Sequence, residues 1–143
     1  MAGKGYGLSW SAALKPETGR VRERVVLALN DTVLAASMGR QLRRLGWAVY
    51  VTGSGEEARQ LCWEYSPQVV VLDTRLQDQS GWLTCEKMLR DDPTLKVILF
   101  ASQPEADGEA FAEFVGPAKL IRQVQGSQAV IDEIVATASP AVG

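Results

Sequence analysis

The sequence contains no histidine, and its two cysteines, Cys62 and Cys85, stand at no metal-ligand spacing. A zinc site of the Cys/His kind is therefore excluded. Both cysteines fall in apolar-patterned segments, the usual setting of reduced core thiols rather than of a disulfide. Long hydrophobic runs are missing too: stretches such as 69–72 and 97–101 fall far short of the roughly 20 residues that cross a bilayer. Residues 1–22 hold Gly3, Gly5, Gly7, Pro16 and Gly19 but no continuous apolar stretch of the signal-peptide kind. A cytoplasmic chain without membrane contact is expected. An excess of charge of one sign is also missing, 15 basic against 17 acidic residues giving a formal net charge of −2, so the basic field that usually holds nucleic acid is absent. No internal repeat or low-complexity segment is found.

What is present is the material of one folded domain. Hydrophobic residues make up 46% and charged residues 22%, far from disordered or collagen-like extremes, and 143 residues suffice for a core without disulfides or metal. We read residues 1–22 as a flexible N-terminal leader, 23–139 as the domain and 140–143 as a tail. The apolar run 24–29, ending in Asn30-Asp31, predicts a buried strand. From Thr32 the spacing changes. Leu34, Met38, Leu42 and Leu45 recur at helical intervals, with Arg40, Arg43 and Arg44 between them, until Gly46. Residues 47–51 predict a second strand. Ser54 and Glu57 form a capping-box pattern, opening a helix through Ala58, Leu61, Cys62 and Tyr65 that ends before Pro67.

Residues 69–72 are the clearest buried strand and lead into Asp73. A third helix follows through Trp82, Leu83, Met88 and Leu89, and closes at Asp91-Asp92-Pro93; a fourth strand is predicted at 96–101. Ala106, Ala110, Phe111, Phe114 and Val115 pattern a weaker fourth helix. A fifth strand is predicted at 119–124, and Ser127 is placed to cap a last helix through Val130, Ile131, Ile134 and Val135. Five strands alternating with five helices imply a doubly wound parallel α/β sheet with helices on both faces.

In such sheets function gathers at the carboxyl ends of the strands, here Asn30-Asp31, Asp73, Ala101-Ser102 and Arg122-Gln123. Asp31 and Asp73 close the first and third strands, neighbours in the usual strand order, so their carboxylates should face one another. Paired acids repel, and a hard divalent cation such as Mg²⁺ relieves that repulsion through oxygen ligands. In that setting an aspartate can act as nucleophile toward a phosphoryl donor. The bland alternative is that Asp31 caps the first helix and Asp73 terminates a strand. An acid directly after four apolar residues is costly without partners, which favours function at Asp73. A nucleotide or cofactor cradle is disfavoured, because the turn Asn30-Asp31-Thr32 has no glycine.

The run from Val69 through Asp73 to Gly81-Trp82, the segment Leu27 to Asp31 and the helix end Leu45-Gly46-Trp47 together resemble response-regulator receiver domains of the CheY-like type over about residues 24–138. The resemblance implies a two-component phosphorelay module. It makes Asp73 the phosphoacceptor and Asp31, Asp73 and the backbone carbonyl of Arg75 the Mg²⁺ ligands, with Asn30 acting through water. It implies a histidine kinase or phosphotransfer protein as partner, and no enzymatic activity beyond self-catalysed aspartyl phosphorylation and dephosphorylation. A homodimer or another signalling protein is compatible with it.

The sequence also departs from the family. Asn30 replaces the first acid, Gln77 stands where proline is usual, and Ser80 where aspartate is frequent. Ala101 occupies the position of the switch hydroxyl, with Ser102 as a neighbouring substitute, although adjacent strand residues face opposite sides. Arg122 takes the place of the lysine, Gln123 of the proline and Lys119 of the mobile aromatic; a planar guanidinium is not equivalent to an ammonium. Two readings follow: an atypical receiver phosphorylated on Asp73, or a phosphorylation-independent pseudo-receiver that serves as an interaction module. Of the four tryptophans, Trp47 and Trp82 are expected in the core; Trp63 lies off its helix's apolar line beside Glu64, a place open to exposure, and core or partial burial is preferred there over a docking anchor. The arginines of the first helix read as a solvated face, and by the resemblance as a kinase-facing one.

Overall fold

The computed structural model describes residues 23–101 and 119–138. Along the chain these form β1 (Arg24–Ala28), α1 (Thr32–Arg44), β2 (Ala48–Thr52), α2 (Gly55–Tyr65), β3 (Val69–Asp73), α3 (Gly81–Asp91), β4 (Lys96–Ala101), β5 (Lys119–Arg122) and α4 (Ser127–Ala138). The strands make one sheet in the order β2-β1-β3-β4-β5, every pairing parallel. The chain order reverses between β1 and β3, and this places the carboxyl ends of those two strands side by side at the switch point of the sheet.

Apart from Arg24, Asp73 and Lys96 at their ends, the central strands are apolar at every position because both faces are covered. Val25, Leu27, Val69, Val71, Ile98 and Phe100 pack with Met38 and Leu42 of α1 and with Val130, Ile131 and Ile134 of α4. The alternate residues Val26, Ala28, Val70, Leu72, Val97 and Leu99 pack with Ala58 of α2 and with Cys85 and Met88 of α3. Burying each large side chain of this kind contributes about 1.5–3 kcal/mol, so the register is held from both sides.

The starts of α1 and α2 and the stop after α1 follow the chemistry read from the sequence. Ser80 is a cap that the sequence reading did not name, and Ser127, expected as a cap, is the first residue of α4. The Asp31 side chain accepts from the Val33 and Leu34 N–H groups, and the Ser54 and Ser80 hydroxyls cap α2 and α3. Gly46 has φ of 95° and donates its N–H to the Arg43 carbonyl at 2.9 Å, a conformation that glycine adopts without a Cβ penalty.

Several boundaries and one burial differ from the sequence reading; β1 ends at Ala28 rather than at residue 29, and β3 takes in Asp73. The second strand starts one residue later, because Trp47 turns into the core and donates its N–H to Leu42 at 3.0 Å, beyond the end of the ladder. The fifth strand stops at Arg122, since residues Gln123–Gln125 wind into a 3₁₀ turn. Trp63 is 61% exposed rather than partly buried. The Arg59 guanidinium lies 5.1 Å from the centre of its ring and is itself tied to Asp91 at 3.0 Å, a contact from another helix that a one-helix pattern does not contain. Both cysteines are free, and burial, with nearby carboxylates, pushes each thiol up to about 12. The leader, the predicted fourth helix, Ser102 and the tail lie outside the described residues.

Candidate functional site

Four residues with almost no exposed surface lead up to Asp73, which is itself only 1% exposed at the end of β3. A carboxylate so placed needs donors. The Asn30 N–H donates to Asp73 Oδ2 at 3.3 Å and the Arg75 N–H to Oδ1 at 3.0 Å. Hydrogen bonds to an ionised group contribute about 1.5–3 kcal/mol each, enough for the pair to offset much of the desolvation. The Asn30 side-chain amide also donates to the Arg75 carbonyl. Asn30 thus spans the β1 and β3 ends, one N–H on the carboxylate and another on the carbonyl.

Asp31 is exposed, and its Oδ1 accepts from the Val33 and Leu34 N–H groups, each at 3.0 Å. The helix-capping alternative is therefore realised for this residue. Among the described residues no group of three or more His, Cys, Asp or Glu side chains could hold a metal ion. A cation at this edge would lean on the two carboxylates, the Arg75 carbonyl and retained waters. Such a hard-oxygen donor set fits Mg²⁺, which keeps several waters, although Asn30 supplies an N–H where a third carboxylate would add charge.

Gly81 has a steric reason. A Cβ there would lie 2.1 Å from the Asp73 carbonyl oxygen and 3.0 Å from Thr74 Cα, and the Gly81 N–H donates to the Thr74 carbonyl at 3.0 Å. Helix α3 is thus drawn directly under the residue that follows the buried acid. Thr74 is 2% exposed, and its hydroxyl is buried with no hydrogen-bond partner among the described residues.

The loop between β3 and α3 carries a group that reading along the sequence does not single out. Asp78 Oδ1 accepts from the Gly55 N–H at 2.7 Å, and Oδ2 accepts from the Glu56 N–H and the Ser54 hydroxyl, both at 3.0 Å. Partial desolvation works against its ionised form, but the backbone N–H groups of Glu56 and Gly55 and the Ser54 hydroxyl outweigh it and hold the carboxyl below its ordinary value. The only sequence signal is an acid in a loop.

The other predicted positions lie on β4 and β5. Phe100 pairs with Asp73, and the next residue, Ala101, pairs with Arg122, so these two residues close the neighbouring strands. Arg122 is exposed at its strand end, with its N–H on Gln125 Oε1 at 2.9 Å. Lys119 reaches Glu133 of α4 at 3.4 Å. Hydrogen bonds thus gather Asn30, Asp73 and Arg75 directly, Asp31 is next to them in sequence, and Arg122 stands two strands away from β3.

Comparison with known proteins agrees with this architecture. Residues 25–116 match the response regulator receiver domain family. Over 79 residues the chain is 33% identical to the Probable transcriptional regulatory protein TcrX of Mycobacterium tuberculosis, covering 55% of this chain and 34% of that protein. The chain therefore spans about a third of the length of that relative. Among solved structures, a DNA-binding response regulator of the LuxR family from Staphylococcus aureus superposes with a TM-score of 0.72 at 19% identity, covering 80% of this chain and 98% of that one. A CheY-like receiver domain protein from Methanospirillum hungatei gives a TM-score of 0.67 at 18% identity, with coverage of 80% and 98%. At these identities the two structures speak to fold.

Proposed function

This chain belongs to the response regulator receiver domain family, and from that premise we propose that it is a phosphorelay module accepting a phosphoryl group on Asp73. The observation that carries the reading is the buried Asp73 carboxylate, presented at the carboxyl edge of the sheet and oriented by the Asn30 and Arg75 N–H groups. One carboxylate oxygen attacks the phosphorus of the donor. The bond from phosphorus to the donor's leaving group breaks as the acyl phosphate forms, and hydrolysis later returns the carboxylate.

Positioning and charge neutralisation do most of the work in such a transfer. The two backbone N–H groups hold the nucleophile. Asp31, Asp73 and the Arg75 carbonyl, with Asn30 through water, are the groups that would hold Mg²⁺, which when bound neutralises charge on the phosphoryl oxygens. Arg122 supplies a fixed positive charge in place of an ammonium, and Ser102 is the candidate for the switch hydroxyl. The phosphoryl group comes from a histidine kinase or phosphotransfer protein in the cytoplasm. The domain turns over no other substrate, and its output is a protein contact.

The test is an amide spectrum with Mg²⁺ and beryllofluoride, which mimics the acyl phosphate. Asn30 and Arg75 should shift, and the shifts should vanish in Asp73→Asn. A wild-type spectrum unchanged at saturating Mg²⁺ would sink the phosphoacceptor reading and leave a phosphorylation-independent interaction module.

A further inference from the structure

Residues 75–80 form a miniature hairpin with its base at Asp73 and its tip on α2. At the base, Arg75 and Ser80 make an antiparallel bridge, and the Leu76 N–H donates to the Gln79 carbonyl at 3.3 Å. The Arg75 N–H is on the Asp73 carboxylate, and Ser80 opens α3 as its cap. At the tip, the Gln77 N–H donates to the Gly53 carbonyl at 3.1 Å, and the Asp78 carboxylate takes its three donors from Ser54, Gly55 and Glu56. Two glycines lie close beside this contact. A Cβ on Gly53 would meet the side-chain nitrogen of Gln77 at 2.6 Å, and one on Gly55 would meet Thr84 Oγ1 of α3 at 2.4 Å and the side-chain nitrogen of Gln79 at 2.8 Å.

We propose that Asp78 is a positioning residue for the Asp73 site: by fixing the hairpin's tip to the start of α2 it holds the Arg75 N–H and carbonyl in place and carries a change at Asp73 to α2. The inference rests on the phosphoacceptor reading. Asp78 touches neither the phosphoryl group nor the metal and acts through Arg75 alone. The physical ground is the shortness of the connection. A short segment tied at both ends has little conformational freedom left to absorb a displacement, so movement of the Arg75 backbone reaches residues 77 and 78. There the contact to α2 is made of charge-assisted bonds to the first N–H groups of a helix, where a carboxylate is favoured by the helix dipole. Helix α2 moves with the tip or the bonds break. Either event differs from a relay through β4 and β5.

The experiment compares wild type, Asp78→Ala and Asp78→Asn by amide spectra, first with Mg²⁺ alone and then with beryllofluoride added. In the wild type the amides of Asn30 and Arg75 shift, and so do those of Gly55 and Glu56. In Asp78→Ala the Mg²⁺ affinity falls about 10-fold, the usual size of an outer-shell loss. At saturating ligand Asn30 and Arg75 still respond while Gly55 and Glu56 no longer do. Asp78→Asn keeps one acceptor oxygen and restores part of both effects. Wild-type shifts at Asn30 and Arg75 with none at Gly55 and Glu56 would overturn the inference while leaving the phosphoacceptor reading intact. Unchanged Mg²⁺ affinity with persisting α2 shifts in Asp78→Ala would overturn it as well. Absence of any wild-type response removes the phosphoacceptor reading itself. Should Asp78→Ala fail to fold, Asp78→Asn and the wild-type α2 amides decide the matter.

Discussion

The carboxyl edge of the sheet has two sides of different construction. On the β1 and β3 side, the Asp73 carboxylate accepts the Asn30 and Arg75 N–H groups at 3.3 and 3.0 Å, Asp78 in the following loop accepts the Gly55 N–H of α2 at 2.7 Å, and Gly81 lies against Asp73 in a contact that admits no Cβ. On the β4 and β5 side, Ala101 presents a methyl group, Lys119 pairs outward with Glu133, and Arg122 ends its strand against a 3₁₀ turn. The difference teaches that receiving a phosphoryl group and reporting it are separate requirements on one fold. The first needs a few fixed donors around one acid. The second needs a side chain that changes partners when the acid is modified, and methyl is not such a group.

The largest effect is expected at Gly81. Replacing it by alanine puts a methyl 2.1 Å from the Asp73 carbonyl oxygen, and we expect a loss of about 3 kcal/mol or more in denaturant unfolding. A cost within 0.5 kcal/mol, the usual range for neutral surface changes, would show that the β3 to α3 junction is looser than described.

Next in size is Ala101→Thr, which returns a hydroxyl to the end of β4. It should leave beryllofluoride binding within about 3-fold of wild type (under roughly 1 kcal/mol) while adding amide shifts on β5. No new β5 response would mean that Ala101 is not the missing element.

A smaller effect is expected from acid. The Asp78 carboxyl is depressed below its ordinary 3.8 when folded, so its contribution is fully present above that value and is lost as pH falls through the folded pKa. The stability gap between wild type and Asp78→Asn should therefore be constant near neutral pH and narrow below about pH 4. A gap that widens in acid contradicts the assignment. Least of all is Thr74→Val. The buried hydroxyl has no partner among the described residues, so its removal should be neutral or stabilising by up to about 1 kcal/mol. A clear fall in melting temperature would reveal a partner for that hydroxyl.

Much of the fold was legible because the strands alternate between two covered faces. Val69 to Leu72 read as buried and are buried on both sides, and Ser54 and Gly46 stand where local cap chemistry requires them. Of the site, Asp73 was legible as an acid at the end of an apolar strand. What the sequence did not disclose depends on contacts between distant segments. Asp78 lies 24 residues from Ser54, and no periodicity or cap pattern joins two loops. The Arg59 contact over Trp63 and its tie to Asp91 of the next helix join distant segments in the same way, as does the Gln125 side chain that meets the end of β5 from beyond it.

The proposed function requires the β1 and β3 side to accept a phosphoryl group on Asp73. Its most direct test is the intact mass of the protein after incubation with Mg²⁺ and acetyl phosphate. We expect a mass increase of one phosphoryl group, dependent on Mg²⁺ and absent in Asp73→Asn. A wild-type mass that stays unchanged, or an increase that persists in Asp73→Asn, would contradict it.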